Sequence, residues 1–229
     1  MAKPAVHYRP GTYQRGEDTR RRLIQAAIEV FAAEGYEGAT TRRLAERAAV
    51  KLPAIPYYFG SKEGLYRAVV DDIAGHVESL LAPTATRACA ALKGKALSRK
   101  ALLDLLSELL DAFATVLAAR ENSESIRIFL SRAEIEREAM LAPLHESFTR
   151  NILKPCAEVV GRLTGRPARD QATMLRAIAI LGQVQVFCST GARRKLGWPA
   201  LDDKRIHAIQ ALVREHTEAI FREAKGPGR

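Results

Sequence analysis

The chain has 229 residues, with 36 Lys and Arg against 26 Asp and Glu, a formal net charge of +10. Its 47% hydrophobic and 27% charged residues exclude wholesale disorder, and 15 Gly with 10 Pro exclude a collagen-like repeat. Three scattered Cys (Cys89, Cys156, Cys188) exclude a disulfide framework and point to a reducing compartment. The N-terminal stretch lacks the apolar segment of a secretory signal, and the longest apolar run, Ala177 to Cys188, is too short to span a bilayer. The expectation is a cytoplasmic protein with no membrane partner, and the basic balance favours a polyanionic one.

Residues 1–17, polar and basic with Pro4, Pro10, Gly11 and Gly16, read as a flexible arm. Asp18 or Thr19 can cap a first helix, in which Leu23, Ile24, Ala27, Ile28 and Phe31 recur at helical spacing. Gly35 ends it as a left-handed cap. Thr40 or Thr41 caps a short second helix through Ala48, and Ala49-Val50-Lys51 links it to a segment from Leu52 to Phe59. Ser61 caps the next helix, which carries Leu65, Val69, Ile73, Val77 and Leu80 and is expected to end before Pro83.

Beyond Pro83 the pattern stays helical. Residues 84–97 read as a loop with one helical turn, and Ser98 caps a long helix from Leu102 to Leu117. Residues 123–138, then 142–164 with a kink at Pro155, then 168–194 and 202–224 complete the series, with stops at Gly165-Arg166-Pro167 and Gly197-Trp198-Pro199. No run alternates with period two, so the fold class is all-α with about nine helices. The domains expected are the arm over 1–17, a DNA-binding domain over 18–67 and a helical regulatory and dimerisation domain over 68–229.

Two short helices joined by three or four residues and braced by a first helix have the geometry of a helix-turn-helix. Such a motif needs a small residue at the helix crossing, an apolar residue in the turn and polar side chains outside. Ala45, Ala48 and Val50 meet the first two needs, and Lys51, Tyr57, Tyr58 and Lys62 offer phosphate partners. On spacing alone a plain three-helix bundle with a solvated basic face fits as well. Residues 1–67 carry a net charge of +5, as much as the following 162 residues together, which favours a DNA face modestly.

The residues themselves decide. The runs TRRRLIQAAIEVFAAEGY from Thr19, ATTRRLAERAAV from Ala39 and YYFGSKEGLY from Tyr57 resemble the N-terminal DNA-binding domain of the TetR family of bacterial transcriptional regulators. With Leu52-Pro53-Ala54-Ile55 they look most like its CerR/CecR-like subgroup. The resemblance implies a homodimer on a palindromic double-stranded DNA operator, a repressor released by a small-molecule effector, and no enzyme activity. It implies DNA contacts from Thr41 and Arg42 at the start of helix 2, from Lys51, Leu52, Ala54, Tyr57 and Tyr58 around the recognition helix, and from Lys62, where a helix start adds amide donors for phosphate. Phe59 matches the family's buried aromatic. The chain departs from the pattern at Ala49, where Gly is usual and a left-handed turn would cost Ala roughly 1 kcal/mol. It departs again at Pro53 and Pro56, and Pro56 removes a donor and a side chain that would reach DNA.

No metal-ligand spacing, phosphate loop or nucleophile elbow is present, so no cofactor or metal is expected. Glu134, Glu136 and Glu138 with Arg132 and Arg137 read as a solvated, salt-bridged helix end. In the C-terminal part, Phe113, Phe129 and Phe148 are candidate walls of an apolar effector pocket, with Arg127, His145 or Gln183 as its polar end. Gln183 and Gln185 have a competing reading, in which one amide crosses the dimer interface and the other bonds to a neighbouring helix. Residues 168–194 are apolar nearly all round, and Ile206, Ile209, Val213, Thr217 and Ile220 form a seam on the last helix, so these two helices are the expected dimer interface. A helical protein-interaction scaffold whose helix-turn-helix is only structural is the competing function class.

Overall fold

In the computed structural model the described residues are 10–94, 96–119, 124–198 and 201–223, and among them every regular element is helical. The α-helices are α1 (Pro10–Gly38), α2 (Thr41–Arg47), α3 (Ala54–Phe59), α4 (Lys62–Lys93), α5 (Arg99–Ala118), α6 (Glu124–Glu136), α7 (Ala142–Phe148), α8 (Lys154–Thr164), α9 (Gln171–Cys188), α10 (Thr190–Lys195) and α11 (Asp203–Glu223). A 3-10 turn covers Glu138–Leu141 and a π turn Thr149–Leu153. Two compact units result. The first takes Met1–Ile73 together with Ser123–Pro143, and the second Ala74–Asn122 together with Leu144–Arg229.

The first unit differs from the sequence expectation at both ends. Helix α1 starts at Pro10, a residue whose fixed φ and missing amide suit a first helical position, so residues 10–17 are helix and not arm. Residues 1–9 of the expected arm lie outside the described residues. Thr19 does not cap: its hydroxyl donates to the Arg15 carbonyl one turn back (2.8 Å), inside the helix. Gly35 does interrupt α1, at φ 72° and ψ 177°. That is not the ordinary left-handed cap but a region open essentially to glycine alone.

The second difference is larger. The core of this unit is made by Leu23, Ala27 and Phe31 of α1, Leu44 of α2, Ile55 of α3, Leu65 and Tyr66 of α4, and also Phe129 and Ala133 of α6. The Phe129 ring lies 5.0 Å from Tyr66 and 6.3 Å from Phe31, centroid to centroid. The body expected to bind DNA is therefore not residues 18–67 alone. A helix from more than fifty positions further along the chain completes its core.

Within the helix-turn-helix, Thr40 is the residue that caps α2, accepting from the Arg43 amide (3.1 Å). Ala49 adopts φ 52°, the left-handed conformation that the linker demands. The Val50 amide then reaches back to the Ala45 carbonyl (3.0 Å) and closes the turn. Ala49→Gly should therefore stabilise the protein by about 0.5–1 kcal/mol, relief of left-handed strain less the extra freedom glycine gives the unfolded chain. Urea unfolding would check this, and an unchanged midpoint would contradict it.

Pro56 is less disruptive than its position in α3 suggests. It is the third residue of the helix, within the turn whose amides lack ladder partners, and hydrogen bonding resumes at once as the Tyr57 amide donates to Pro53 (3.2 Å). Ser61 caps α4 as expected, accepting from the Gly64 amide (3.0 Å).

In the second unit, α4 continues through Pro83 instead of stopping there. Pro83 itself is exposed, where the carbonyl it frees can be hydrated, while Leu81, Ala85, Ala88 and Leu92 bury one continuous face. Burial along that face outweighs one lost hydrogen bond, so residues 84–93 are helix and not loop. Helix α5 is capped by Ser98 and packs on α8, α9 and α11. The stretch 142–164 is broken just ahead of Pro155 by the π turn: the Lys154 amide bonds to Thr149, five residues back, before Pro155 falls in the first turn of α8. In that turn the buried Asn151 donates to the Ser147 carbonyl (3.0 Å) and hydroxyl (3.2 Å). Burial works to raise the Glu78 pKa, but hydrogen bonds from Ser147, Arg150 and Asn151 and the Arg150 charge outweigh it and hold that carboxyl below its usual range.

The seam read on the last helix turns inward for most of its length. Ile209, Val213 and Thr217 are buried within the unit, with Phe221 continuing the stripe. The apolar residues α11 exposes are Leu212 and Ile220, and α9 exposes Leu175, Ile178 and Val186. Among the described residues no helix is long and apolar enough to cross a membrane.

Candidate nucleic-acid interface

The first unit carries a groove of about 530 Å³ bounded by Thr19 and Arg22 of α1, Ala49, Val50, Lys51 and Pro53 of the linker, and Ala54, Tyr57 and Tyr58 of α3. Ile55, fully buried, anchors α3 to the body, so its opposite side must face out. Tyr57 is the extreme case, with 81% of its surface exposed although it is a large aromatic. Its ring meets the half-buried Tyr58 edge to face at 4.8 Å, so Tyr58 props the projecting Tyr57. Phenol hydroxyls, lysine and arginine are the donors that phosphate backbones take, and the groove gathers them around a short helix end.

Of the residues expected to reach DNA, Lys51, Ala54, Tyr57 and Tyr58 share this groove, and Leu52, also exposed, adjoins them in the chain. Thr41 and Arg42 are exposed at the start of α2, where Arg42 also pairs with Glu46 (2.9 Å). Lys62, at the first position of α4, is half-buried, and its ammonium donates to the Tyr36 carbonyl (2.8 Å). One of its three N–H donors is thus used inside the protein. Phe59 is not core as the resemblance implied: it is half-buried, with the Arg20 guanidinium 5.6 Å from its ring centre. Ile55 takes the buried place.

Thr19, Arg22 and Pro53 belong to the groove and were not among the sequence candidates. The signal for the first two was the run Arg20-Arg21-Arg22, which is uninformative until the helix is known to begin well before it. Gly16 lies in the same region, with space for a methyl group 3.7 Å from the Tyr58 hydroxyl. The stretch of α1 from Gly16 to Arg22 therefore runs beside α3.

The junction between α3 and α4 is unusually close. A Cβ at Gly64 would stand 1.9 Å from the Phe59 carbonyl oxygen. Glycine at this position lets the end of the recognition helix rest directly on the first turn of α4.

The residues expected to line an effector pocket do not form one cluster. Phe113 and Phe148 are neighbours in the second unit, with ring centres 5.5 Å apart. Phe129 and Arg127 belong to the first unit, where Phe129 is core and Arg127 pairs with Glu124. His145 is exposed. The Gln183 amide oxygen lies 3.1 Å from the His216 ring nitrogen of α11, so this amide is engaged with a neighbouring helix. Burial pushes the Cys156 thiol up to about 12 and the Cys188 thiol to about 11, so both are protonated at neutral pH and unsuited to nucleophilic chemistry.

Comparison with known proteins agrees with this geometry. Residues 23–69 match the model described as bacterial regulatory proteins of the tetR family, and residues 102–224 match the C-terminal domain of the HTH-type transcriptional dual regulator CecR. The CecR protein of Shigella flexneri is 28% identical over 215 residues, covering 93% of this chain and 95% of that one. Among solved structures, a TetR-like transcriptional regulator from Rhodococcus sp. RHA1 superposes with a TM-score of 0.58 at 19% identity, covering 88% of this chain and 95% of that one. The regulator FadR from Bacillus subtilis, in complex with stearoyl-CoA, does so with a TM-score of 0.54 at 18% identity, over 85% and 95%.

Proposed function

Because this chain belongs to the TetR family of bacterial transcriptional regulators and carries the C-terminal domain of the CecR branch, we propose that it grips a palindromic operator as a homodimer and is released by a small effector. It is a DNA-binding transcriptional regulator by family. The observation that carries the finer reading is the groove beside α3, with the exposed Tyr57, the half-buried Tyr58 against it, and Lys51 and Arg22 around them. Thr41 and Arg42 at the start of α2, Lys62 at the start of α4, and the Tyr57 and Tyr58 phenols form the phosphate-binding edge, while Leu52 and Ala54 face the base pairs. Selection of bound genomic fragments tests this. Recovered sites should share two inverted half-sites about one helical turn apart, or a multiple of it, and recovery without enrichment would overturn the reading.

The dimer is supported by the apolar residues that α9 and α11 leave in water: Leu175, Ile178, Val186, Leu212 and Ile220. An empty space beside Gly182, in the middle of the α9 stretch, leaves room for close approach of a second helix. Sedimentation should give twice the chain mass of 25.2 kDa, and Ile178→Asp should shift the protein toward monomer. A wild-type monomer at micromolar concentration would sink the proposal.

For the effector, Phe113 and Phe148 supply an apolar surface within the second unit, which suits an amphipathic or aromatic compound better than a sugar phosphate. The FadR structure with stearoyl-CoA is a case of such a molecule held by this fold. Repression is the sign we propose. The name of the Shigella flexneri relative, a dual regulator, supports a second reading in which one protein acts in both senses. The site of action is the cytoplasm.

A further inference from the structure

The charged end of α6, which the sequence presents as a solvated salt-bridge cluster, is spent on one residue of the DNA-binding body. The Arg137 guanidinium lies 3.6 Å from the centre of the Tyr36 ring, and the Lys62 ammonium lies 4.3 Å from the same centre. The Tyr36 amide donates to the Glu136 carboxylate (3.2 Å), and the Tyr36 carbonyl accepts from Lys62 (2.8 Å). Arg132 braces Glu136 (3.4 Å) and also donates to the Ala33 carbonyl at the end of the regular part of α1 (3.4 Å). Tyr36 is nearly buried, so ring, amide and carbonyl are all fixed by these partners.

Two cations at one ring repel each other, and the arrangement holds because the ring face attracts both and Glu136 and Glu37 offset the charge. Its effect is directional. Arg137 and Glu136 fix Tyr36, and Tyr36 fixes Lys62. A lysine on a four-carbon stem otherwise loses much of its rotamer freedom on gripping a phosphate, and a tethered one has lost it beforehand.

We propose that Arg137 is a positioning residue for DNA binding: acting through Tyr36, it holds the Lys62 ammonium ready for a backbone phosphate without touching DNA itself. This rests on the phosphate role given to Lys62 above. It would also make residues 136–137, at the end of a helix outside the helix-turn-helix, a control point for DNA affinity.

The test is a double-mutant cycle on the full-length protein, with binding to mixed-sequence duplex DNA followed by fluorescence anisotropy over a series of salt concentrations. Lys62→Ala, which removes one phosphate contact from each protomer, should lower the slope of log affinity against log salt by about two for the dimer. Arg137→Gln, which keeps the stem and loses the charge, should weaken binding about fivefold, within the rotamer freedom a lysine can lose, and leave that slope unchanged. In the Lys62→Ala background Arg137→Gln should have no further effect. Arg137→Lys should restore most of the affinity, and Tyr36→Leu should mimic Arg137→Gln while Tyr36→Phe should not. A drop in slope from Arg137→Gln would make Arg137 a phosphate ligand and overturn the proposal. An undiminished Arg137→Gln effect without Lys62, or unfolding of both Arg137 variants, would reduce it to a structural strut and overturn it as well. Equal binding by wild type and Lys62→Ala would instead remove the phosphate role of Lys62, and the proposal with it.

Discussion

Phe129→Ala is expected to destabilise the first unit by about 3–5 kcal/mol, the usual cost of truncating a buried Phe, and to abolish DNA binding at physiological temperature. Phe129 is 1% exposed and stands against Tyr66 and Phe31. Those two rings in turn meet each other edge to face at 5.0 Å. Removing the phenyl group leaves a cavity between α1, α4 and α6. The helices that would relax into it are the ones that set the pose of α2 and α3. No residue proposed to touch DNA is altered, so a loss of binding would come through the scaffold. Urea unfolding with tyrosine fluorescence would read the early transition, and anisotropy on duplex DNA the function. A shift below 1 kcal/mol with binding intact would show that α6 is dispensable to the unit. The same packing predicts that a fragment ending at residue 67 folds poorly, although the family motif lies within it.

The helix-turn-helix was legible because its signals are local. Thr40 and Ser61 cap the helices they precede, and Ala49 takes the left-handed conformation that a link of this length requires. Local rules give way to packing at two places. Pro83 reads as a stop, but its exposed position lets the buried face from Leu81 to Leu92 carry α4 past it. Asp18 and Thr19 read as a start, but α1 begins at Pro10 and carries Thr19 and Arg22 to the wall of the groove. A third difference is of another kind. Phe129 has the spacing of any core residue, and nothing in a helical period says which core. Arg137 and Glu136 likewise look solvated until Tyr36 is placed beside them. Membership of a unit formed by distant segments depends on contacts of long sequence separation, and those leave no periodic trace. The effector residues suffered most, since Phe113 and Phe148 are neighbours while Phe129 and Arg127 belong to the other unit.

Gly64→Ala should be the most damaging single methyl group in the DNA-binding unit. The added Cβ would stand 1.9 Å from the Phe59 carbonyl oxygen and 3.1 Å from its carbon, both backbone atoms with no flexible side chain to yield. Helix α3 would have to lift away from α4. Overpacking of this kind costs about 1–3 kcal/mol and sometimes more, and a contact this short against backbone belongs at the upper end. The effect on function should exceed the effect on stability, because the displaced element is the recognition helix, and Tyr57 and Tyr58 move with it. We expect at least a tenfold loss of DNA affinity, equivalent to about 1.4 kcal/mol, under conditions where the protein remains folded. Gly75 provides a matched control on the same helix: it is exposed, and a Cβ there would meet nothing within 4 Å. Gly75→Ala should stabilise α4 by about 0.5–1 kcal/mol through helix propensity and leave DNA binding unchanged. Circular dichroism melts and anisotropy on the two variants would decide the matter. Similar behaviour of Gly64→Ala and Gly75→Ala would mean that the end of α3 does not rest on α4 as closely as the structure has it.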